Sequence, residues 1–326
     1  MKRAQVTSSK FIQLAEQMSS HIIKSRSENT NKKYFAAFNR WDLFISAEGG
    51  NSLPAESIHV ALYVTHLIDK GHSSSVIEGA VYAIKWAHSL RGFRDPKDNC
   101  FVKNLLESAK RQCKKKVNKK DPVTSDQVKE LCKKHVHTED AILLRDLTLL
   151  ILCFTGFLRY DEARSLKCND VSIYDDYISL NIAKSKTDQY RQGNSVVISA
   201  GVTEACPVKM VKKYINVARI SNLDSNHFFF KPAYRSKGVS ALIRKDKPLS
   251  YTTARERVIS LLKEVCGDAN LGLHSLRAGG ATMVANTSTK DRLWKIHGRW
   301  KTDKAKDGYV VDTLDNKLEV TKSLML

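Results

Sequence analysis

Cysteine pairs, long apolar runs and acidic charge are what this chain of 326 residues lacks. Its seven cysteines, at positions 100, 113, 132, 153, 168, 206 and 266, are scattered, odd in number and never spaced as CxxC. That argues against a disulfide framework and against a zinc site, and leaves reduced, mostly buried thiols as the expectation. The longest apolar stretch, Leu147 to Phe154 with Thr148 interrupting it, is far shorter than the roughly 20 residues that span a bilayer. No membrane span is expected. The opening MKRAQVTSSKFIQLAEQ is charged at its start but has no apolar core and no small-residue cleavage site, so it does not read as a secretion signal. An intracellular chain is the expectation. Internal repeats and low-complexity tracts are absent too. Asp and Glu number only 34 against 54 Lys and Arg, a formal charge of +20. Such a field attracts polyanions, and nucleic acid leads as partner. The length and the 42% hydrophobic content support two ordinary domains with real cores.

In Asn29 to Ser46, Tyr34, Phe38, Trp41 and Ile45 recur at the spacing of one helical face, which predicts an amphipathic helix. IHVALYVTHLIDKG predicts another helix that ends at Gly71. A third is expected in SSSVIEGAVYAIKWAHSL, with Ser75 and Glu78 at capping-box spacing and Ile77, Ala80, Val81 and Ile84 as its apolar stripe. These make a small all-helical bundle. From Lys110 to Lys120 the chain runs KRQCKKKVNKK, without an acid, just before Asp121 and Pro122, and reads as a domain boundary. Lys114, Lys115, Lys116, Lys119 and Lys120 are candidates for phosphate contact; a solvated linker and a nuclear-import signal are the alternatives. Beyond it, Thr124 and Gln127 have capping-box spacing, with Val123 and Val128 as a hydrophobic staple. Ala141 to Phe154 reads as a strong helix, and YISLNIAKSKTDQYRQGNSVVIS as a β-hairpin with a polar turn.

Four clusters carry chemistry. TGFLRYDEARSL holds Arg159 and Glu162 at i and i+3, which share a helical face. The hairpin tip AKSKTDQ holds Lys184 and Lys186. HSLRAGGAT holds His274 and Arg277 on one face, followed by small residues that permit close backbone approach. HGRWKTDKAKDGYVV holds Trp300 and Tyr309. Each alone has an ordinary explanation: a surface ion pair, a solvated lysine, a packed histidine, a packing tyrosine. Together they complete a set for breaking a phosphodiester. Two arginines, Arg159 and Arg277, clamp the non-bridging oxygens with planar hydrogen bonds. The Tyr309 phenol attacks and conserves the bond energy in a phosphotyrosyl link. A lysine with a pKa lowered by neighbouring arginines protonates the departing 5′ oxygen, and Lys186 suits. His274 and Trp300 complete the cradle, Trp300 only as a donor because indole carries no exchangeable base.

The set, in this order, resembles the tyrosine recombinase (integrase) family. Its first box looks like TGxRxxE, and this chain has one extra residue between Gly156 and Arg159. Its lysine sits in an SKT or TKT context, which selects Lys186 over Lys184. Its HxxR box matches His274 and Arg277. Its last His or Trp stands nine residues before the tyrosine, which selects Trp300 over His297, and Tyr309. The stretches CPVKMVKKYI, HSLRAGGAT and GRWKTDKAKDGY look most like recombinases of DIRS and Crypton-type eukaryotic mobile elements. The resemblance implies a mainly α fold with a small β-sheet. A helical, SAM-like core-binding domain would span 1–109, a basic linker 110–121 and a mixed α+β catalytic domain 122–326. It further implies double-stranded DNA as substrate, a homotetramer on two DNA sites, no metal or nucleotide cofactor, and a location with DNA, in the nucleus if the host is eukaryotic. The apolar end LDNKLEVTKSLML would dock on a neighbouring protomer.

Two rivals stand beside a recombinase: a type IB topoisomerase, which relaxes DNA as a monomer, and a domesticated DNA-binding protein that no longer cleaves. One geometric expectation follows for either enzyme. Nine residues of straight helix turn through about 900°, which puts Trp300 and Tyr309 on opposite faces. The chain must therefore turn between them to bring Tyr309 back to the arginines, and Gly308 is a candidate for the backbone freedom required.

Overall fold

The computed structural model describes residues 8–113, 118–183, 185 and 193–324. The chain divides into two compact units, Met1–Val117 and Asn118–Leu326.

The first unit contains the helices α1 (Ser9–Lys24), α2 (Glu28–Ala47), α3 (Ser57–Asp69), α4 (Ser74–Arg91) and α5 (Cys100–Gln112). Its core takes Trp41 and Ile45 of α2 and Ile77, Val81 and Ile84 of α4 from the expected stripes, and adds Val60 and Val64 of α3 and Val102 and Leu106 of α5. Trp41 has its indole N–H satisfied by the carbonyl of Ser52 at 3.0 Å, so the largest core ring leaves no polar atom stranded. Gly71 and Gly92, with φ of 70° each, follow α3 and α4 in the left-handed conformation that favours glycine. Two expectations shift. Helix α4 starts after Ser73, not at Ser75, and has no side-chain cap; Glu78 lies 3.5 Å from Lys110 of α5 instead. Helix α5 continues to Gln112, so Lys110 and Arg111 sit in its last turn and not in a linker. Of the lysine candidates, Lys114, Lys115 and Lys116 lie outside the described residues.

At the start of the second unit, Lys119 and Lys120 follow Asn118 and are both exposed. Lys120 Nζ donates to Asn270 Oδ1 at 2.5 Å, and the Asn270 amide donates to the Lys119 carbonyl at 3.0 Å, so this segment is stitched to the body of the unit. Helix α6 (Ser125–Lys134) starts from the expected capping box: Gln127 N donates to Thr124 Oγ1 at 3.2 Å and Thr124 N to Gln127 Oε1 at 2.9 Å. Val123 and Val128 are both buried. Helix α7 (Ala141–Thr155), capped by Asp140, is buried on nearly every side and is the axis of the unit. Short α8 (Tyr160–Ser165) follows it. Then β1 (Val171–Ile173), β2 (Tyr177–Ile182) and β3 (Asn194–Ser199) form an antiparallel sheet in the order β1-β2-β3. Pairs run from Tyr177 with Ser199 to Ile182 with Asn194, and the alternate residues Ile178, Leu180, Ile182, Val196 and Ile198 face the core. The expected hairpin is there, and Lys184 and Lys186 of its tip lie outside the described residues.

Helix α9 (Pro207–Val217) packs on α7, and a two-stranded ribbon, β4 (Ala233–Ser236) with β5 (Val239–Leu242), precedes α10 (Tyr251–Cys266). Helix α11 (His274–Ala285) crosses α7 at close range. The small residues expected to permit this do so: a Cβ on Gly279 would sit 2.0 Å from the Val123 carbonyl oxygen, and one on Gly280 2.2 Å from that of Phe154. Helices α12 (Asp291–His297), α13 (Asp303–Asp307) and α14 (Leu314–Lys322) complete the chain. The architecture is mainly helical with small sheets, as expected. All seven cysteines are free thiols; Cys132, Cys153, Cys168 and Cys206 are buried and Cys100 is exposed. No helix among the described residues is long and apolar enough to cross a membrane.

Candidate active site

The end of α7 is where the first cluster is built. Gly156 closes the helix, and Phe157, the region of the extra residue, takes a left-handed φ of 47°. That is strained for a residue with a Cβ, by about 1–2 kcal/mol. The kink buries the Phe157 ring and turns its carbonyl toward the arginines. Arg159 is then the N-cap of α8, and Glu162 at the third helical position reaches back to accept from the Arg159 amide at 2.9 Å. The same carboxylate accepts from Arg159 Nη1 at 2.7 Å. The expected face-sharing of Arg159 and Glu162 is therefore a two-point pair in which the carboxylate is buried and the guanidinium half-buried.

His274 and Arg277 are the first and fourth residues of α11. His274 is exposed, whereas Arg277 is fully buried. Arg277 Nη1 donates to the Phe157 carbonyl and Nη2 to the Gly298 carbonyl at 2.6 Å. Its guanidinium also lies 4.0 Å from Glu162 Oε2. Burial, then repulsion from Arg159, lowers the Arg277 pKa to about 10, while Glu162 opposes the drop. It stays charged at neutral pH.

The turn demanded between Trp300 and Tyr309 is present. Helix α12 stops at Gly298, Trp300 stands in the link, α13 runs from Asp303 to Asp307, and Tyr309 lies in the turn just after it. The freedom sits elsewhere than expected: Gly308 has φ of −59°, open to any residue, and the left-handed position is Arg299, with φ of 57°. Gly298 is required for a different reason, because a Cβ there would fall 1.7 Å from the Trp300 ring. Folded back this way, Trp300 packs on Phe157, Trp294 and Tyr309, the last at 5.6 Å between ring centroids. The Arg277 guanidinium lies 4.5 Å from the Trp300 ring and 5.1 Å from the Tyr309 ring. Arg159, Glu162, Arg277, Trp300 and Tyr309 thus converge, though 150 positions separate the first from the last.

Sequence reasoning missed four contributors. Arg299 is buried and donates from Nη2 to Glu162 Oε2 at 2.9 Å and to the Phe157 carbonyl at 2.8 Å. Thr282 near the end of α11 and Asn286, its C-cap four residues on, hold the tyrosine segment: Thr282 Oγ1 donates to the Tyr309 carbonyl at 3.2 Å, and Asn286 Nδ2 to the Val311 carbonyl at 3.2 Å. The i, i+4 spacing of Thr282 and Asn286 was an available signal, and it is common on polar helices. Lys306 also anchors α13, its buried ammonium pairing with Asp291 and lying 4.4 Å from the Trp294 ring.

Burial raises the Glu162 pKa, but Arg299, the Arg159 amide and the Arg159 guanidinium together outweigh it and hold the carboxylate ionised. Three guanidinium cations around one carboxylate leave an excess of positive charge in a buried space. Two buried donors, Arg277 Nε and Trp300 Nε1, have no acceptor among the described residues. An unpaired buried N–H costs about 1–3 kcal/mol, so such donors gathered beside a tyrosine are suited to an anionic oxygen.

The chain belongs to the phage integrase family, whose model matches residues 122–305. It is 25% identical over 297 residues, 88% of this chain and 82% of the relative, to an integrase/recombinase xerD homolog of Selenomonas ruminantium. In fold it is similar to the Tn1549 transposon integrase in complex with transposon right end DNA, with a TM-score of 0.57, 13% identity and coverage of 95% of this chain and 99% of that one. It is likewise similar to the XerH site-specific recombinase bound to difH substrate, with a TM-score of 0.57, 13% identity, and 98% and 90% covered.

Proposed function

We propose that this chain is a site-specific DNA recombinase that cuts and rejoins duplex DNA through a 3′-phosphotyrosyl intermediate. The observation that carries the reading is the convergence of Arg277 on the rings of Trp300 and Tyr309 while Glu162 holds Arg159 beside it. The Tyr309 phenol oxygen attacks the scissile phosphorus as its proton passes to water, the bond from phosphorus to the 5′ oxygen breaks, and the 5′ oxygen leaves with a proton from Lys186. A 5′ hydroxyl then attacks the phosphotyrosyl link and gives its proton back to Lys186, the bond from phosphorus to the phenol oxygen breaks, and the phenolate takes a proton from water, which restores both the diester and the phenol. Arg159 and Arg277 hold the non-bridging oxygens as charge builds on them. His274 and the Trp300 N–H donate hydrogen bonds.

The proposal extends to the whole chain. Residues 1–109 bind the DNA core, the basic stretch 110–121 contacts phosphate through Lys114, Lys115, Lys116, Lys119 and Lys120, and 122–326 carry catalysis. The working unit is a tetramer on two DNA sites. Leu314 and Leu318 of α14 stay exposed in the single chain, which fits a helix that docks on a neighbouring protomer. The RAGGAT and GRW stretches favour a mobile element of the DIRS or Crypton kind as source, with the nucleus as workplace.

The test is a covalent trap on nicked duplexes carrying the element's own ends. A protein–DNA adduct is expected, and it should vanish in Tyr309→Phe with DNA binding kept. Absence of an adduct in the unaltered protein would sink the catalytic reading and leave a DNA-binding protein. Relaxation of supercoiled plasmid that needs no matched sites would favour a topoisomerase.

A further inference from the structure

We infer that Arg299 is a positioning residue that keeps Arg277 available to the DNA phosphate by occupying the Glu162 carboxylate. The inference rests on the recombinase reading and concerns how its site stays open.

Glu162 has two oxygens and four nearby donors. Oε1 takes Arg159 Nη1 at 2.7 Å. Oε2 takes the Arg159 amide and Arg299 Nη2, each at 2.9 Å, and leaves Arg277 Nη1 at 4.0 Å. Arg277 is thus the one guanidinium of the three that sits near this carboxylate without being bonded to it. Without Arg299, Oε2 keeps a single weak donor and Arg277 becomes the nearest cation. In a buried site the attraction between them is strong, because little water screens it. Arg277 would then swing onto Glu162, away from Trp300 and Tyr309, and the clamp would spend one of its two charges internally.

The backbone is arranged for the same end. Arg299 holds a left-handed φ of 57° between Gly298 and Trp300, and Phe157 one of 47° on the opposite loop. Neither is glycine, so both conformations need compensation. The Arg299 fork supplies it, with Nη1 donating to the His297 carbonyl at 2.7 Å and to the Gly156 carbonyl at 3.2 Å, and Nη2 to Phe157 at 2.8 Å. Arg277 shares that Phe157 carbonyl. The extra residue of the first box and the arginine before Trp300 therefore act as one device, which joins the Gly156–Phe157 loop to the His297–Trp300 loop and fixes Arg277 between them.

The test is a double-mutant cycle on single-turnover cleavage of the nicked duplex, with duplex affinity and thermal unfolding measured alongside. Arg299→Gln should slow cleavage by about 10²-fold, the size expected for misplacing a reacting group by about 1 Å, with affinity nearly unchanged. Adding Glu162→Gln removes the carboxylate that captures Arg277, so the double variant should recover at least tenfold over Arg299→Gln. A merely structural Arg299 gives the opposite sign, with the two losses adding. Should Arg299→Gln unfold, comparison of Glu162→Gln with the double variant decides, since neither leaves a buried unpaired carboxylate. Near-equal rates support the inference, and a large further loss overturns it. An unaltered protein that forms no Tyr309-dependent adduct is a failure of the recombinase reading, visible before any Arg299 variant is assayed.

Discussion

Two groups of buried charge lie in the second unit, and only one of them closes on itself. On α7, Asp146 takes Arg145 Nε and Nη2 at 2.9 and 2.7 Å on one oxygen and Arg257 of α10 on the other, while Arg145 Nη1 reaches the Lys231 carbonyl at 3.0 Å. No buried polar atom of Arg145 or Asp146 is without a partner. Around Glu162 the count differs: Arg159, Arg277 and Arg299 share one carboxylate, and donors on Arg277 and Trp300 are left over. Both groups carry the desolvation penalty of buried ions. A closed group returns that penalty as structure, whereas an open one holds positive charge and spare donors for something outside the protein. Burial of charge by itself therefore identifies nothing; the unmatched remainder does.

That contrast can be broken at three points. The largest effects come from removing one member of each group. Asp146→Asn should destabilise the fold by about 3–5 kcal/mol in urea unfolding, because buried Arg145 loses its counter-charge, while cleavage per folded molecule holds. Arg277→Met should do the reverse, cutting cleavage by about 10²–10³-fold with a smaller loss of stability. If both variants lose stability alike and neither loses rate per folded molecule, the distinction between closed and open groups is wrong. Next is Trp300→Phe, which keeps ring packing on Phe157 and Tyr309 but deletes the N–H. A rate loss of about tenfold with unchanged affinity is expected for one lost donor, and an unaltered rate would show the N–H to be idle.

The smallest effect is a pH dependence at His297. Its Nε2–H donates to the Thr155 carbonyl at 2.8 Å, and its ring meets Phe157 edge-on. Burial, with Arg299 and Arg277 acting the same way, holds the imidazole below its ordinary pKa, and only the Thr155 carbonyl opposes. The unfolded chain then binds the proton more readily, so this stability is complete above about pH 6.5 and is lost as pH falls through the folded value. Urea midpoints between pH 8 and pH 5 should decline less in His297→Gln; equal slopes would remove His297 from the account.

Much of the fold could be read from periodicity. The stripes of α2, α3 and α4, the capping box at Thr124 and Gln127, and the hairpin of β2 and β3 each follow from neighbours within a few positions. Where reading failed, the structure shows contacts that the local sequence does not specify. Helix α4 starts after Ser73, and the glutamate expected in a capping box with Ser75 lies instead 3.5 Å from Lys110, 32 positions away. Gly308 attracted attention as a glycine, yet the left-handed residue was Arg299, held there by hydrogen bonds that no composition rule anticipates. In the site, Arg159, Glu162, Arg277, Trp300 and Tyr309 were legible as types with a common chemistry. Arg299 was not, because an arginine in a chain with 54 basic residues carries no signal until its burial is known.

By itself the sequence determined the attraction to a polyanion, the helical periods, the small residues that let α11 cross α7, and the need for a turn between Trp300 and Tyr309. These depend on charge, side-chain size and spacing, which neighbours along the chain already specify. Only the tertiary structure decided which cations stay paired and which remain available. That depends on who competes for one carboxylate, and the competitors at Glu162 come from three segments that meet only when the second unit is folded.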